Sequence, residues 1–245
     1  MQRFFVDPTI TLVVGTEIAL PPPVTHQVGH VLRLRPSDRV ILLDNSGDEC
    51  EVELIAFTRD EIRGRVLARQ PAPPETGPAV TLYQCMLKGE KFGWVLQKAT
   101  ELGVAAIVPV ASARTVAPLT EITGAAKGER WERVVREAAE QSRRVLLPRL
   151  YPPLGWRAAV AQAADAGGPM LVPWEEAPPG GLGAALDQAR QALRVSLFIG
   201  PEGGLTAEEV ADAAALGATP ISLGPRVLRA ETAALAALAL LLVPC

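Results

Sequence analysis

The residue types best suited to chemistry gather near the end of the chain: Glu202 in the run Gly200-Pro201-Glu202-Gly203-Gly204, then Arg226, Arg229 and Glu231 in the run that opens Gly224-Pro225-Arg226. A carboxylate can take up a proton as a general base, and a guanidinium can neutralise an oxyanion or grip a phosphate. Which of these capacities is used depends on the ligand. Glu231 has a second explanation, because a carboxylate in the first turn of a helix is favoured by the macrodipole at about 0.3–1 kcal/mol. The glycines let backbone approach a ligand closely, or simply supply positive φ for tight turns. Neither G-x-G-x-x-G after the first strand of a βαβ unit nor a Gly-Lys-Ser/Thr ending is present, which disfavours dinucleotides and nucleotide triphosphates.

Both runs follow short apolar segments, 196–199 and 221–223, and each is succeeded by a helix-forming stretch. In open α/β sheets ligands lie beyond the carboxyl ends of strands, where backbone groups and helix N-termini are free. A third strand end, 170–173, comes from the same half of the chain. From residue 79 onward strand-like and helical patterns alternate. A strand at 80–87 leads to a helix carrying Phe92, Val95, Leu96, Ala99 and Leu102 at helical spacing, ended by Gly103, and then to a strand at 104–110. Helices are expected at 129–145, 156–166, 182–193 and 230–242. This is βαβ logic, hence an α/β fold with a parallel sheet. The last helix is apolar nearly all round, which calls for burial on more than one side.

Residues 1–70 read as a small β-barrel with one short helix. Segments 39–44, 49–57 and 62–69 carry β-branched residues in partial alternation, joined by turns at 45–48 and 58–61. The proline-rich stretch 71–78 reads as a linker to a second domain, 79–245. His26 and His30 stand at i, i+4, but no further carboxylate or cysteine motif completes a metal site, so no metal is expected. Arg33 and Arg35, two apart, would project together from an extended segment, as a phosphate contact or as a solvated edge. Residues 127–149 carry seven Lys or Arg against four Glu, the most basic stretch of the chain. Arg143 and Arg144 near its end are the second candidate phosphate contact, the alternative being a salt-laced solvated helix.

The segments FIGPEGGLTAEEV and LGPRVLRAETAAL closely resemble the C-terminal motifs of SPOUT-class methyltransferases. More narrowly, they resemble the RsmE-type family, which methylates uracil N3 in small-subunit ribosomal RNA. HVLRLRPSDRV, KGEKFGWVLQKATELGV and RWERVVREAAEQSRR match the same family, so the resemblance spans nearly the whole chain. It implies a trefoil-knotted parallel-sheet methyltransferase domain preceded by a PUA-like RNA-binding barrel. It also implies S-adenosylmethionine held bent in the knot by Leu171, Val172 and Pro173, by Gly200, Pro201, Glu202 and Gly203, and by Leu223, Gly224, Val227 and Leu228. On that footing Glu231 and Glu202 are the candidate bases, while Arg226 and Arg229 are the candidate stabilisers of charge on the uracil. A homodimer acting on ribosomal RNA or the assembled small subunit is implied as well. The alternatives are a SPOUT enzyme with another target, such as a ribose 2′-oxygen, or a noncatalytic RNA-binding protein.

Composition sets the bounds. Hydrophobic residues make up 49% of the chain and charged residues 21%, as in a globular protein with a sizeable core. The formal charge is −3, so any RNA surface must be a local patch. Only four of the 24 basic residues are lysines, Lys88, Lys91, Lys98 and Lys127. Three cysteines without C-x-x-C spacing, an N-terminus unlike a signal peptide and no apolar run long enough to cross a bilayer point to the cytoplasm and away from a membrane.

Overall fold

The structure is a computed structural model and describes residues 1–58, 61–116 and 125–243. The chain divides into two compact units, Met1–Pro74 with Ala139–Leu147, and Glu75–Ala138 with Pro148–Cys245.

The first unit is a five-stranded sheet ordered β1-β3-β4-β5-β2. Its strands are β1 (Gln2–Phe5), β2 (Glu17–Ala19), β3 (Arg39–Leu43), β4 (Asp48–Phe57) and β5 (Ile62–Pro71). The three longer strands form the antiparallel meander that their alternation predicts. Cys50, Val52 and Leu54 of β4 point inward, while Glu49, Glu51 and Glu53 stay partly exposed. The turn expected at 58–61 includes residues 59–60, which lie outside the described residues. β1, parallel to β3, and β2, antiparallel to β5, are too short to show a period in the sequence. The short helix α1 (Pro22–His26), with proline in its first turn, runs on into a π-helical turn, Gln27–Val31. It stacks the His26 and His30 rings at 5.2 Å.

The second unit is built on a parallel sheet with path β12-β10-β11-β6-β7-β8, and β9 also pairs with β7. Its strands are β6 (Ala79–Cys85), β7 (Ala106–Ala111), β8 (Arg149–Leu150), β9 (Leu154–Gly155), β10 (Met170–Pro173), β11 (Arg194–Ile199) and β12 (Ala218–Ile221). The helices are α2 (Lys91–Glu101), α3 (Ala125–Gln141), α4 (Trp156–Ala166), α5 (Leu182–Gln191), α6 (Ala207–Ala215) and α7 (Ala230–Leu242). The last residues of α3 belong to the first unit. The sheet is covered on both faces, as near-continuous apolar strands require. Val80 and Leu82 of β6 join α2, α5 and α7 in one core. Tyr83 and Cys85 join α4 and α6 in the other. Each fully buried Leu, Val or Phe contributes about 1.5–3 kcal/mol relative to exposure, so these two layers hold the strand ends in register.

Several sequence expectations shift, among them the domain bounds: residues 139–147, expected in the second domain, belong to the first unit. The helix expected at 129–145 ends at Gln141, because Arg143 takes φ +63 and breaks it. The strand expected at 221–223 runs Ala218–Ile221, which leaves Leu223 in the following loop. Arg33 does not lie on an extended segment: it takes φ +54, just after the π-helical turn.

Candidate functional site

β6 is followed by α2 on one face of the sheet, and β11 is followed by α6 on the other. The two strands are neighbours, so their outgoing connections diverge and open a crevice at their carboxyl ends. Into it come the loops after β10, β11 and β12.

The loop after β11 is tightly built. The Gly204 N–H donates to the Pro201 carbonyl at 2.9 Å, and Gly204 takes φ +72. A Cβ there would lie 2.4 Å from Glu175 Oε1. Thr206 then caps α6 in a capping box with Glu209. The other oxygen of Glu209 accepts the Ala113 N–H at 2.7 Å, and Arg114 donates to the Gly203 carbonyl at 2.8 Å. The loops after β7 and β11 are thus tied together.

Two adjoining cavities result. The larger, about 330 Å3, is lined by Pro173, Gly200, Pro201, Glu202, Val227, Leu228 and Arg229 among others. Its size falls in the range of small-ligand sites, about 300–1,000 Å3. The smaller, about 110 Å3, adds Trp174, Leu223, Gly224 and Arg226. Both share Pro173, Glu175, Val227 and Leu228.

Most of the residues expected at the cofactor come together here, and three do not. Leu171 and Val172 are buried on opposite faces of β10, one in each core, so they support the site from below rather than line it. Gly203 packs against Arg114, where a Cβ would lie 3.2 Å from the Arg114 Cβ, and its neighbours Gly200 and Gly204 take the lining role.

Of the candidate bases, Glu202 is committed. Its Oε1 accepts the Lys88 N–H at 3.0 Å and lies 3.5 Å from Lys91 Nζ. Burial works against its charge, but the Lys88 N–H, its own N–H and Lys91 together hold its carboxyl below the ordinary range. Glu231, in the first turn of α7, lies with Oε1 3.6 Å from the same Lys91 Nζ. Its Oε2 is buried with no hydrogen-bond partner among the described residues. Arg226 and Arg229 form no ion pair with any described residue and line the smaller and larger cavity respectively.

Sequence reasoning missed two charged residues. Lys91 opens α2, where a cation opposes the helix macrodipole; that misplacement in a chain with four lysines was the available signal. Glu175 lines both cavities without an ion pair among the described residues, and can accept from a ligand hydroxyl or ammonium. The buried, unpartnered Trp174 Nε1–H beside the smaller cavity is a further free donor. Apolar Val227 and Leu228 with carboxylates nearby fit a ligand that carries both a heteroaromatic ring and positive charge, as S-adenosylmethionine does.

In the first unit Arg33 and Arg35 are exposed, as is Arg143, and none of the three forms an ion pair among the described residues. Arg144 differs: it is 8% exposed, and its N–H donates to the Ala139 carbonyl. The expectation of an outward phosphate contact does not hold for it, because the chain turns at Arg143 and carries Arg144 inward. No group of three or more potential metal-ligating side chains occurs among the described residues, nor does any helix long and apolar enough to cross a membrane.

Residues 74–242 match the RNA methyltransferase domain family. The ribosomal RNA small subunit methyltransferase E of Bacillus subtilis is 31% identical to this chain, with 97% of this chain and 94% of that protein covered. Its counterpart in Mycobacterium tuberculosis is 37% identical, with 85% and 79% covered. Among solved structures, the ribosomal RNA small subunit methyltransferase E of Neisseria gonorrhoeae bound to S-adenosylmethionine has a TM-score of 0.85 at 31% identity, covering 98% of this chain and 95% of that one. A Legionella pneumophila methyltransferase in complex with the same cofactor has a TM-score of 0.83 at 30% identity, covering 98% and 96%.

Proposed function

Because the chain belongs to the RNA methyltransferase domain family, among the ribosomal RNA small subunit methyltransferase E proteins, we propose that it methylates uracil N3 in small-subunit ribosomal RNA, using S-adenosylmethionine. The observation that carries this reading is the pair of adjoining cavities at the ends of β10, β11 and β12, lined by Arg226 and Arg229, neither of them ion-paired among the described residues.

When bound, S-adenosylmethionine supplies an electrophilic methyl group on a sulfonium, so the chain has chiefly to align the nucleophile and keep it reactive. Pro173, Gly200, Pro201, Val227 and Leu228 wall the larger chamber, and Leu223 and Gly224 extend the wall into the smaller one. Uracil N3–H must lose its proton. Glu231 accepts it, and Arg226 and Arg229 stabilise the charge that develops on O2 or O4. Glu202, already committed to Lys88 and Lys91, anchors the loop instead. Arg33, Arg35 and Arg143 hold RNA phosphates.

The partly exposed Leu235, Ala236, Ala239 and Leu240 of α7 support a homodimer, since this apolar face is only partly covered by the described residues. Family membership supports a trefoil knot and a cytoplasmic site of action. Nucleoside mass spectrometry of ribosomal RNA from a deletion strain tests the function. Loss of 3-methyluridine is expected, whereas loss of a ribose methyl, or no change, would replace this reading.

A further inference from the structure

We infer that a further cavity, next to the two described above, receives an RNA nucleotide flanking the modified uridine, its phosphate held by Lys88 and Lys127 and its base set against an apolar wall. This rests on the methyl-transfer reading and extends it from the reacting base to its neighbour in the strand.

The cavity measures about 390 Å3, against about 330 Å3 for the larger chamber of the cofactor site, and falls in the range of small-ligand sites, about 300–1,000 Å3. It lies at the carboxyl end of β6, between the loop that follows, the start of α2 and the first half of α3. Leu87, Val116, Trp131 and Val134 give it an apolar wall. Buried Phe92 packs against the Trp131 ring at 4.7 Å and fixes that wall from behind, while Val116, 67% exposed, leaves apolar surface open to a ligand. Among the described residues, three cations line the cavity, Lys88, Lys127 and Arg130, against the single carboxylate of Glu90. Glu90 pairs with Arg130, so the excess positive charge rests with the two lysines. A phosphate joined to a flat base is the complement of both features.

Position decides which nucleotide. Lys91 lines the larger cofactor chamber, and the next residue, Phe92, lines this cavity. The Lys88 N–H donates to Glu202 Oε1 at 3.0 Å; Glu202 lines the cofactor chamber, whereas Lys88 lines this cavity. Residues 88–91 are thus the partition between the two spaces. An RNA strand that delivers a uridine to one side brings its neighbour to the other, and proteins read single-stranded RNA by splaying its bases apart in this way.

Gly93 allows the cavity to be filled without disturbing its walls. It lines the cavity from α2, and an added Cβ would meet nothing within 4 Å. Leucine also forms helix better than glycine. The experiment measures binding of small ribosomal subunits from a deletion strain to wild type, Gly93→Leu and the double variant Lys88→Gln/Lys127→Gln over a salt series. Base-modifying reagents footprint the bound RNA, and calorimetry gives cofactor affinity in parallel. Gly93→Leu should weaken subunit binding about 5- to 150-fold, the range for losing one base contact, and should unprotect a base adjacent to the modified uridine. The lysine variant should lower the salt slope by about 1.4, at roughly 0.7 per contact with a single strand. Cofactor affinity should stay within about twofold in both, because none of the three residues lines either cofactor chamber and the Lys88 N–H remains. Wild-type subunit binding by Gly93→Leu, protection lost only at a remote base, an unchanged slope in the lysine variant, or a matching loss of cofactor affinity each overturns the inference. A wild-type protein that forms no 3-methyluridine would instead overturn the functional reading beneath it.

Discussion

The sheets of the two units handle charge differently. On the first unit's sheet, arginines are neutralised across strands: Arg3 by Glu49, Arg39 by Glu51, Arg63 and Arg65 by Glu17, and Arg69 by Asp44 and Asp48. Arg33, Arg35 and Arg143, outside the strands, form no ion pair among the described residues. In the second unit the sheet is apolar on both faces, and Lys91, Glu175, Glu202, Arg226, Arg229 and Glu231 collect at or beside the cavities at the strand ends. A cross-strand ion pair is a closed account of charge on a pleated surface. A charge without a partner, or shared unequally among partners, is the one a ligand can complete. Abundance of arginine therefore says little about RNA contact, and pairing says more.

The largest expected effect comes from the core beneath each unit's charges. Leu197→Ala, in the fully buried centre of β11, should cost about 2–5 kcal/mol and weaken cofactor binding, since the Gly200 loop hangs from that strand. Leu42→Ala in β3 should cost a similar amount yet leave cofactor affinity unchanged while both units remain folded. Urea titration and calorimetry on both variants check this. Equal loss of cofactor binding would erase the distinction between the units.

Next comes RNA affinity. Replacing Arg33 and Arg35 by glutamine should weaken RNA binding and reduce the salt slope by about 1.4–1.8, at roughly 0.7–0.9 per phosphate contact. The same change at the paired Arg63 and Arg65 should leave the slope where it was. Filter binding over a salt series separates the two pairs, and indistinguishable slopes would mean that pairing does not predict contact.

Acid should act on both units through carboxylates whose ionisation is held down. Burial opposes the charge of Asp44, but hydrogen bonds from Ser46 and the Arg69 guanidinium outweigh it. Glu202 is held down similarly by Lys88 and Lys91. A depressed folded-state pKa contributes stability above the unfolded value that is lost as pH falls through the folded one. The thermal midpoint should accordingly lose nothing to these two groups down to their ordinary values of 3.8 and 4.5, and decline below. Asp44→Asn and Glu202→Gln should each remove part of that decline. An acid profile unchanged in both variants would contradict the assignment.

The smallest effect belongs to a closed pair. Removing Arg39 and Glu51 together should change stability by no more than about 1 kcal/mol, since Arg39 is exposed and Glu51 partly so. A larger loss in chemical denaturation would mean that these pairs do more than decorate the sheet.

Periodicity made the longer elements legible. The β3–β5 meander and α2 follow from alternation or helical spacing because each buries one side of a regular element, whereas β10 and α7 follow from unbroken apolar runs buried on more than one side. β1, β2 and the two-residue strands β8 and β9 show no period at such length, and only their pairing partners make them strands. Arg143 and Arg144 read alike in sequence, and a single residue at positive φ sends one outward and the other inward.

For the site, the chain itself determined the chemistry available: carboxylates and guanidiniums next to glycine-bearing turns after apolar segments, in motifs that belong to an RNA methyltransferase. Their division of labour came from tertiary structure. Glu202 and Glu231 are equivalent as residue types, and their difference arises because Lys88 and Lys91, more than a hundred residues earlier, are carried to them by the parallel pairing of β6 with β11. Residue type travels with the sequence. Which oxygen is satisfied and which is left unpartnered depends on distances of about 3 Å between segments remote in the chain, and those exist only once both apolar layers have closed over the sheet.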